Sequence, residues 1–519
     1  MLASLGHVLR LGRAGFILAR EGVFSGVDAA EMPGVARLGL FLAGLVARRD
    51  GGMTRLAPAI ARLGPSYVKL GQTLATRPDV VGVEVARQLE ALQDRMAPFP
   101  RDIAVAVIEK AFARPISELF GEFGEPVAAA SVAQVHRATI VEDGVSRPVA
   151  VKVLRPGIER RFRRDLGDMF FAARIAEKLS PEAERLNAIG VVDTLARSVK
   201  IEMDFRLEAA AASEFAENTE GDDDFLVPRV DWDHCAREVM TLEWIDGIAL
   251  SDVEALRRSG VDPARLGRTL IQSFLRHAVR DGFFHADMHP GNLFLTNAGR
   301  LAAVDFGIMG RLGTKERRFL AEILYGFITR DYRRVAEVHF EAGYVPAHYR
   351  VEDFAQAIRA VGEPIHSRRA DEISMAKVLT LLFEITALFD MRTRIELVML
   401  QKTMVVVEGV ARSLDPRIDM WSTAEPVVRT WMENNLGPRG KIADAGQGLA
   451  ALAQLAGQTP EMLARAARIA EKLETLTERG LVLAPHTVAA LGAAQAAGQR
   501  FWRYVIVFIL LLIVFLIRR

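Results

Sequence analysis

The chain is 519 residues long, half hydrophobic, a quarter charged and nearly neutral at +1, with 66 basic side chains against 65 acidic ones. That balance excludes a general nucleic-acid binder, which needs a basic excess, and the length leaves room for about two to four domains. A single cysteine, Cys235, excludes an internal disulfide and fits a reducing compartment.

Residues 1–29 begin "MLASLGHVLRLGRAGFILAR", with Arg10, Arg13 and Arg20 and no acid before Glu21. The stretch lacks the compact apolar core of a secretory signal and reads as an amphipathic segment, with the chemistry of a transit peptide as the other option. Residues 30–120 read as helices punctuated by "LGP" and "RMAPFP". Within them "YVKLGQTLATRPD" puts Lys69, Gln72, Thr73 and Thr76 at i, i+3, i+4 and i+7, a polar stripe beside Tyr67, Leu70 and Leu74. Solvated stripes are usually written in Glu, Lys and Arg. This one is short and rich in amide and hydroxyl groups, and the stripe alone does not decide where it points.

From about 121 the pattern changes to strands: "PVAAASVAQVHRATI", a turn at "EDG", then "PVAVKVLRPG". Val149, Val151 and Val153 share one face of a strand, and Ala150 and Lys152 share the other. A lysine in an apolar strand needs an anion, unless the strand is an edge and the lysine meets water. Helices return at 160–220. There "VKIEMDFRLEAAAASEF" offers Glu202, Asp204 and Glu208, and Glu208 can pair with Lys152 as a kinase strand lysine pairs with a helix glutamate. "VMTLEWIDG" at 239–247 reads as an apolar strand ending in a turn.

In "FFHADMHPGNLFL", Asp287 and Asn292 stand five apart around Pro290 and Gly291. The spacing matches a kinase catalytic loop, where the Asp accepts a proton or orients a nucleophile and the Asn holds a metal bridging phosphates. A rival reading takes His285, Asp287 and His289 as a zinc or iron cluster. "LAAVDFGIMG" then places Asp305 at a strand end before Phe306 and Gly307, the arrangement by which kinases hold Mg²⁺ against nucleotide phosphates. Strands followed by helices predict an α+β, two-lobed domain, with lobes at 121–247 and 248–430 and a helical linker region at 431–500. The tail "FWRYVIVFILLLIVFLIRR" gives an apolar span at 501–517, near the lower limit of about 17 residues for a transmembrane helix. It is flanked by interfacial Trp502 and Tyr504 and by Arg500, Arg518 and Arg519.

One kinase element is missing. Where a glycine-rich loop precedes the lysine strand, this chain has "VAAASVAQVH", whose methyl groups restrict backbone approach to phosphates.

Taken together, the alanine-rich loop, "VAVKV", "EMD", "HADMHPGN", "VDFG" and "KLGQ" resemble the UbiB family, also called the aarF-domain family, over about residues 30–430. These are atypical protein-kinase-like proteins of ubiquinone biosynthesis. The resemblance implies an atypical two-lobed kinase fold with an N-terminal helical extension, at 30–120, and a C-terminal membrane anchor. It implies that Lys152 meets the α- and β-phosphates and that Ala128, Ala129, Ala130, Ser131, Val132, Ala133, Gln134, Val135 and His136 cover the nucleotide, with Ser131 at the tip. Glu243 and Trp244 would form the adenine-contacting hinge, Asp287 the catalytic base, and Asn292 and Asp305 the Mg²⁺ (or Mn²⁺) positions. In such proteins the K-x-G-Q helix lies across the mouth of the nucleotide cleft. Lys69 and Gln72 would therefore face inward, with Lys69 paired to Glu202 or Asp204, and Gly71 would let the helix approach closely. A conventional protein kinase would be obstructed by that helix. The implied activity is a Mg²⁺-dependent ATPase or a small-molecule or lipid kinase using ATP (with ADP as product). A nucleotide-gated scaffold or lipid chaperone for quinone-pathway enzymes is the alternative. The implied partners are a quinone precursor lipid or those enzymes, and membrane lipids, at a bacterial inner membrane with the kinase-like domain on the cytoplasmic side.

Overall fold

The computed structural model describes residues 2–26, 41, 43–48, 55–75, 81, 83–89, 92, 96–179, 187–366, 384, 385, 388–391 and 395–436. The expected apolar tail at 501–517, the linker from 437 onward and Thr76 lie outside the described residues. Among the described residues no helix is long and apolar enough to cross a membrane. The described chain divides into two compact units. One holds residues up to 211 together with 229–244, and the other holds 212–228 and 245–436. The helical extension therefore belongs to the same unit as the first sheet, and the chain passes to the second unit between Trp244 and Ile245.

The first unit is built on a four-stranded antiparallel sheet, ordered β1-β2-β3-β5: β1 (Glu122–Ala129), β2 (Ala133–Glu142), β3 (Val145–Leu154) and β5 (Val239–Glu243). The valine alternation of β3 behaves as expected, with Val149, Val151 and Val153 fully buried. With Ala138, Ile140 and Val239 they form one core with Ala104 and Ile108 of a helix at Arg101–Phe112. In this unit's helical layer, α1 (Leu2–Arg20), α2 (Leu56–Leu63) and α3 (Pro65–Ala75) precede that helix, and α7 (Ile158–Leu179) and α8 (Ala188–Glu202) follow the sheet. The helices at Val83–Leu89, Arg101–Phe112 and Ile116–Leu119 are α4, α5 and α6.

The N-terminal segment is part of this layer. Gly12, Ala14, Gly15 and Ala19 are buried on α1, and α1 packs against α2 and α7. Arg10 Nε and Nη2 each donate to Asp168 of α7 at 2.7 Å, and His7 Nδ1 lies 2.5 Å from the same carboxylate. Asp168 is 1% exposed. Just past the helix, buried Glu21 is met by Arg48 and Arg55 and by Arg62 of α2. A helix read from sequence as a free amphipathic segment is thus clasped by its polar residues and packed through its small ones.

The second unit starts from the later half of α9 (Phe205–Thr219), which spans both units. Its sheets are β4-β9-β8-β6, from Phe225–Leu226, Leu301–Ala303, Leu293–Thr296 and Gly247–Ala249, and a two-stranded ladder of β7 (Phe283–His285) with β10 (Met309–Arg311). Around them lie α10 (Val253–Arg258), α11 (Pro263–Arg276), α12 (Thr314–Ile328), α13 (Tyr332–Glu341), α14 (Val351–His366), α15 (Ile395–Leu414) and α16 (Met420–Asn435). Strands and helices are segregated in each unit, as an α+β fold requires.

Candidate active site

The lysine strand comes first. Lys152 is opposite Val135 in β2 and Met240 in β5, so it sits on an inner strand of the sheet and the edge-strand explanation fails. Its Nζ donates to Glu208 Oε1 at 2.6 Å, with side-chain exposures of 16% and 9%. The ammonium also lies 5.5 Å from the Phe205 ring centroid. Glu208 is delivered by α9, whose N-cap is Asp204: Oδ1 accepts from Arg206 N at 3.2 Å. The guanidinium of Arg206 grips the same carboxylate at 2.9 and 2.7 Å. That bond, and the backbone N–H with it, hold Asp204 below the usual carboxylate range against the opposing effect of desolvation.

Lys69 Nζ meets Glu202 Oε2 at 2.8 Å, both side chains largely buried. Of the two acids offered by "EMD", Glu202 takes the lysine and Asp204 starts the helix that carries Glu208. No residue from Pro65 to Ala75 is exposed, so the polar stripe is internal, with Lys69, Gln72 and Thr73 half-buried. Thr73 Oγ1 donates back to Lys69 O at 2.9 Å, and Ser66 Oγ staples the helix to Asp165 of α7 at 2.8 Å. Desolvation, reinforced by Asp165 and Asp168, pushes the Tyr67 phenol up to about 12. Gly71 packs closely, since a Cβ there would stand 2.3 Å from Leu92 Cδ1.

The alanine-rich stretch is a hairpin turn, with Ala130 N donating to Ala133 O at 2.8 Å. Ser131 is at its tip and is fully buried. From Ala133 onward the residues are strand, and the two-residue period sorts them. Gln134 and His136 stand opposite Val153 and Val151, on the buried valine face. Gln134 bonds Phe99 through both N–H (2.9 Å) and O (3.1 Å), and His136 Nδ1 pairs with Gly124 O at 2.9 Å while its ring stacks on Phe123. Burial lowers the His136 pKa. These two side chains are committed to the core, on the sheet face opposite Lys152. Val135, opposite Lys152, shares the lysine's face. The expected hinge is the end of β5: Trp244 N donates to Pro148 O at 3.2 Å, its ring carries the Arg137 guanidinium at 5.0 Å, and Glu243 accepts from Arg229 N at 3.3 Å.

In the second unit, Asn292 Nδ2 donates to both Asp287 O and Asp287 Oδ2 at 3.1 Å. The amide donors are used on the aspartate, so Oδ1 is the atom Asn292 can offer a cation. Asp305 is exposed and adopts φ +66, a left-handed conformation that Asp and Asn tolerate better than most residues. Its Oδ1 accepts from Gly307 N at 3.3 Å. His285 joins the two segments: Nδ1 accepts from Asp287 N at 3.1 Å and Nε2 faces Val304 O at 3.3 Å. Burial lowers its pKa against the pull of Asp287 and Asp305. Both His285 nitrogens are occupied, and His289 is exposed, its Nδ1 accepting from Gly291 N at 3.2 Å. Among the described residues no group of three such side chains could hold a metal, and the zinc or iron reading is withdrawn. The exposed carboxylate and amide oxygens are hard donors, which fit Mg²⁺. Thr403 of α15, invisible as a motif, donates from Oγ1 toward Ala286 O at 2.9 Å and so braces the loop just before Asp287.

Residues 91–339 match the family model of the ABC1 atypical kinase-like domain, and 358–419 match that of the UbiB helical domain. The chain is 40% identical over 456 residues, 86% of this chain and 82% of the relative, to a protein named "Probable protein kinase UbiB" from Marinobacter nauticus. The chain belongs to the UbiB family. It is also similar to the solved structure of Rv3197 of Mycobacterium tuberculosis, described in complex with erythromycin: TM-score 0.50, 25% identity, covering 73% of this chain and 94% of that one. The kinase-like character of this UbiB-family chain thus rests on whole-domain matches as well as on short motifs.

Proposed function

We propose that this protein binds Mg²⁺–ATP and hydrolyses or transfers its γ-phosphate in support of ubiquinone biosynthesis. The Lys152–Glu208 ion pair on an inner strand carries the reading, because a buried ammonium aimed by a dedicated carboxylate is what an α,β-phosphate contact requires. When bound, Mg²⁺ neutralises charge on the phosphates. On the protein's side, Asn292 Oδ1 and Asp305 hold the cation. Asp287, fixed by the Asn292 amide and by His285, orients the attacking hydroxyl or water and accepts its proton. The acceptor is a quinone precursor lipid or water. A test follows phosphate release against transfer, with purified protein, Mg²⁺–ATP and quinone head-group analogues. A folded protein that neither releases nor transfers phosphate, or whose activity Asp305→Asn leaves unchanged, would refute the reading.

The apolar tail at 501–517 supports membrane anchoring. A chain ending at Gln499 is expected to leave the membrane pellet while retaining nucleotide binding, and continued sedimentation would refute the anchor.

A further inference from the structure

Between α4 and α5, the segment Met96–Phe99 has no part in the chemistry above, yet it is fastened to the alanine-rich turn from both sides. Met96 N donates to Ala129 O at 3.3 Å. Gln134 holds both backbone groups of Phe99. Arg155, just past the lysine strand, ties the rest together. Its N–H donates to Val132 O at 2.8 Å, and its Nη2 donates to Ala130 O at 3.0 Å and Ala97 O at 3.1 Å. The guanidinium also lies 5.3 Å from the Phe99 ring centroid. One side chain thus joins a carbonyl of the turn to a carbonyl of the segment, through charge-assisted bonds that a neutral residue cannot replace.

We propose that Arg155 is a positioning residue for the nucleotide, holding the alanine-rich turn closed before nucleotide arrives. The proposal rests on the nucleotide-binding reading above. A glycine-rich turn is ordered by its ligand, and the ordering costs affinity. Here the alanine methyls narrow the backbone's choices and Arg155 selects one of them, so the turn is ordered in advance. Freeing the turn therefore weakens nucleotide capture. The chemical step is little changed, because Lys152, Glu208, Asp287, Asn292 and Asp305 keep their own partners.

The experiment compares the full chain with Arg155→Met and Arg155→Lys by amide exchange over residues 128–133 and by steady-state kinetics with Mg²⁺–ATP. For Arg155→Met the expected result is loss of exchange protection at the turn without nucleotide and recovery at saturation. KM rises about tenfold while kcat stays within about twofold. Arg155→Lys falls between, since an ammonium lacks the planar fork that reaches two carbonyls. An unchanged KM, a fall in kcat at constant KM, or exchange rising equally through β2 and β3 would overturn the assignment. Should Arg155→Met fail to fold, Arg155→Lys carries the same readouts. A wild-type chain that binds no nucleotide would sink the functional reading, while exchange at the turn still decides whether Arg155 clamps it.

Discussion

The motif residues of the two units differ in exposure. In the first, each cation of the motifs already has its acid. Lys152 is held by Glu208 and Lys69 by Glu202, each pair largely out of water. In the second, Asp287 and Asp305 are exposed; Asp287 accepts from the Asn292 amide and Asp305 from the Gly307 N–H. The difference teaches what each side is prepared for. A paired lysine is aimed and desolvated, ready for an anion without collapsing onto a wrong partner. Exposed carboxylates stand where a hydrated cation can reach them.

The largest effects should separate the two modes. Asp305→Asn keeps the tolerance for positive φ and removes the charge, so Mg²⁺-dependent turnover should fall on the order of 100-fold or more, with only a modest loss of melting temperature because the side chain is exposed. Lys152→Met should also cost turnover, but it removes the ammonium 2.6 Å from Glu208, whose side chain is 9% exposed, and should lower the melting temperature further. Calorimetry beside the turnover assay checks this. Equal thermal losses in both variants would break the comparison.

Asp222 tests whether exposure belongs to the loop or to the whole second unit. Its carboxylate is 6% exposed and accepts from Arg280 at 2.6 and 3.1 Å and from His277 at 3.3 Å. Burial opposes ionisation there, yet the His277 and Arg280 bonds together hold the pKa far below the usual carboxylate range. A depressed carboxylate stabilises the fold above its unfolded pKa of about 3.9 and loses that contribution as pH falls. Asp222→Asn should therefore cost about 2 kcal/mol at neutral pH, with the gap to wild type closing below about pH 4. A gap independent of pH in thermal scans would remove Asp222 from the compensated class.

The smallest effect sharpens the first unit's side. Lys69→Ala leaves Glu202 without this partner where water can enter, costing about 1 kcal/mol, a shift of about 2–4 °C. Self-phosphorylation should rise if the helix then yields to polypeptide, and should vanish again with Asp305→Asn added. Wild-type values for both would make the ion pair idle.

The period-2 valines, the Asp287–Asn292 spacing and Asp305 just past a strand were legible because each is a short-range pattern, where spacing constrains the geometry. The core placement of the Gln134 and His136 side chains was not read, because "VAAASVAQVH" was grouped whole in the place of a kinase's glycine-rich loop. Strand alternation begins at Ala133 and turns every second side chain inward. The choice between Glu202 and Asp204 was not legible either, since both face the same region by sequence and the helix start at Phe205 decides it. The clamp of Arg155, the brace from Thr403 and the clasp on Asp168 join distant segments whose register no local pattern records.

That clasp bears on how the chain is made. Arg10 emerges from the ribosome 158 residues before Asp168. At about 5–20 residues per second, α1 waits on the order of ten seconds for its partner. During that interval Leu9, Arg13, Phe16 and Arg20, which stay exposed even in the finished fold, are joined by His7, Arg10 and the small buried face in contacting whatever lies near the exit. A helix made early is thus secured late, and its docking reports that the layer from α1 to α7 is complete.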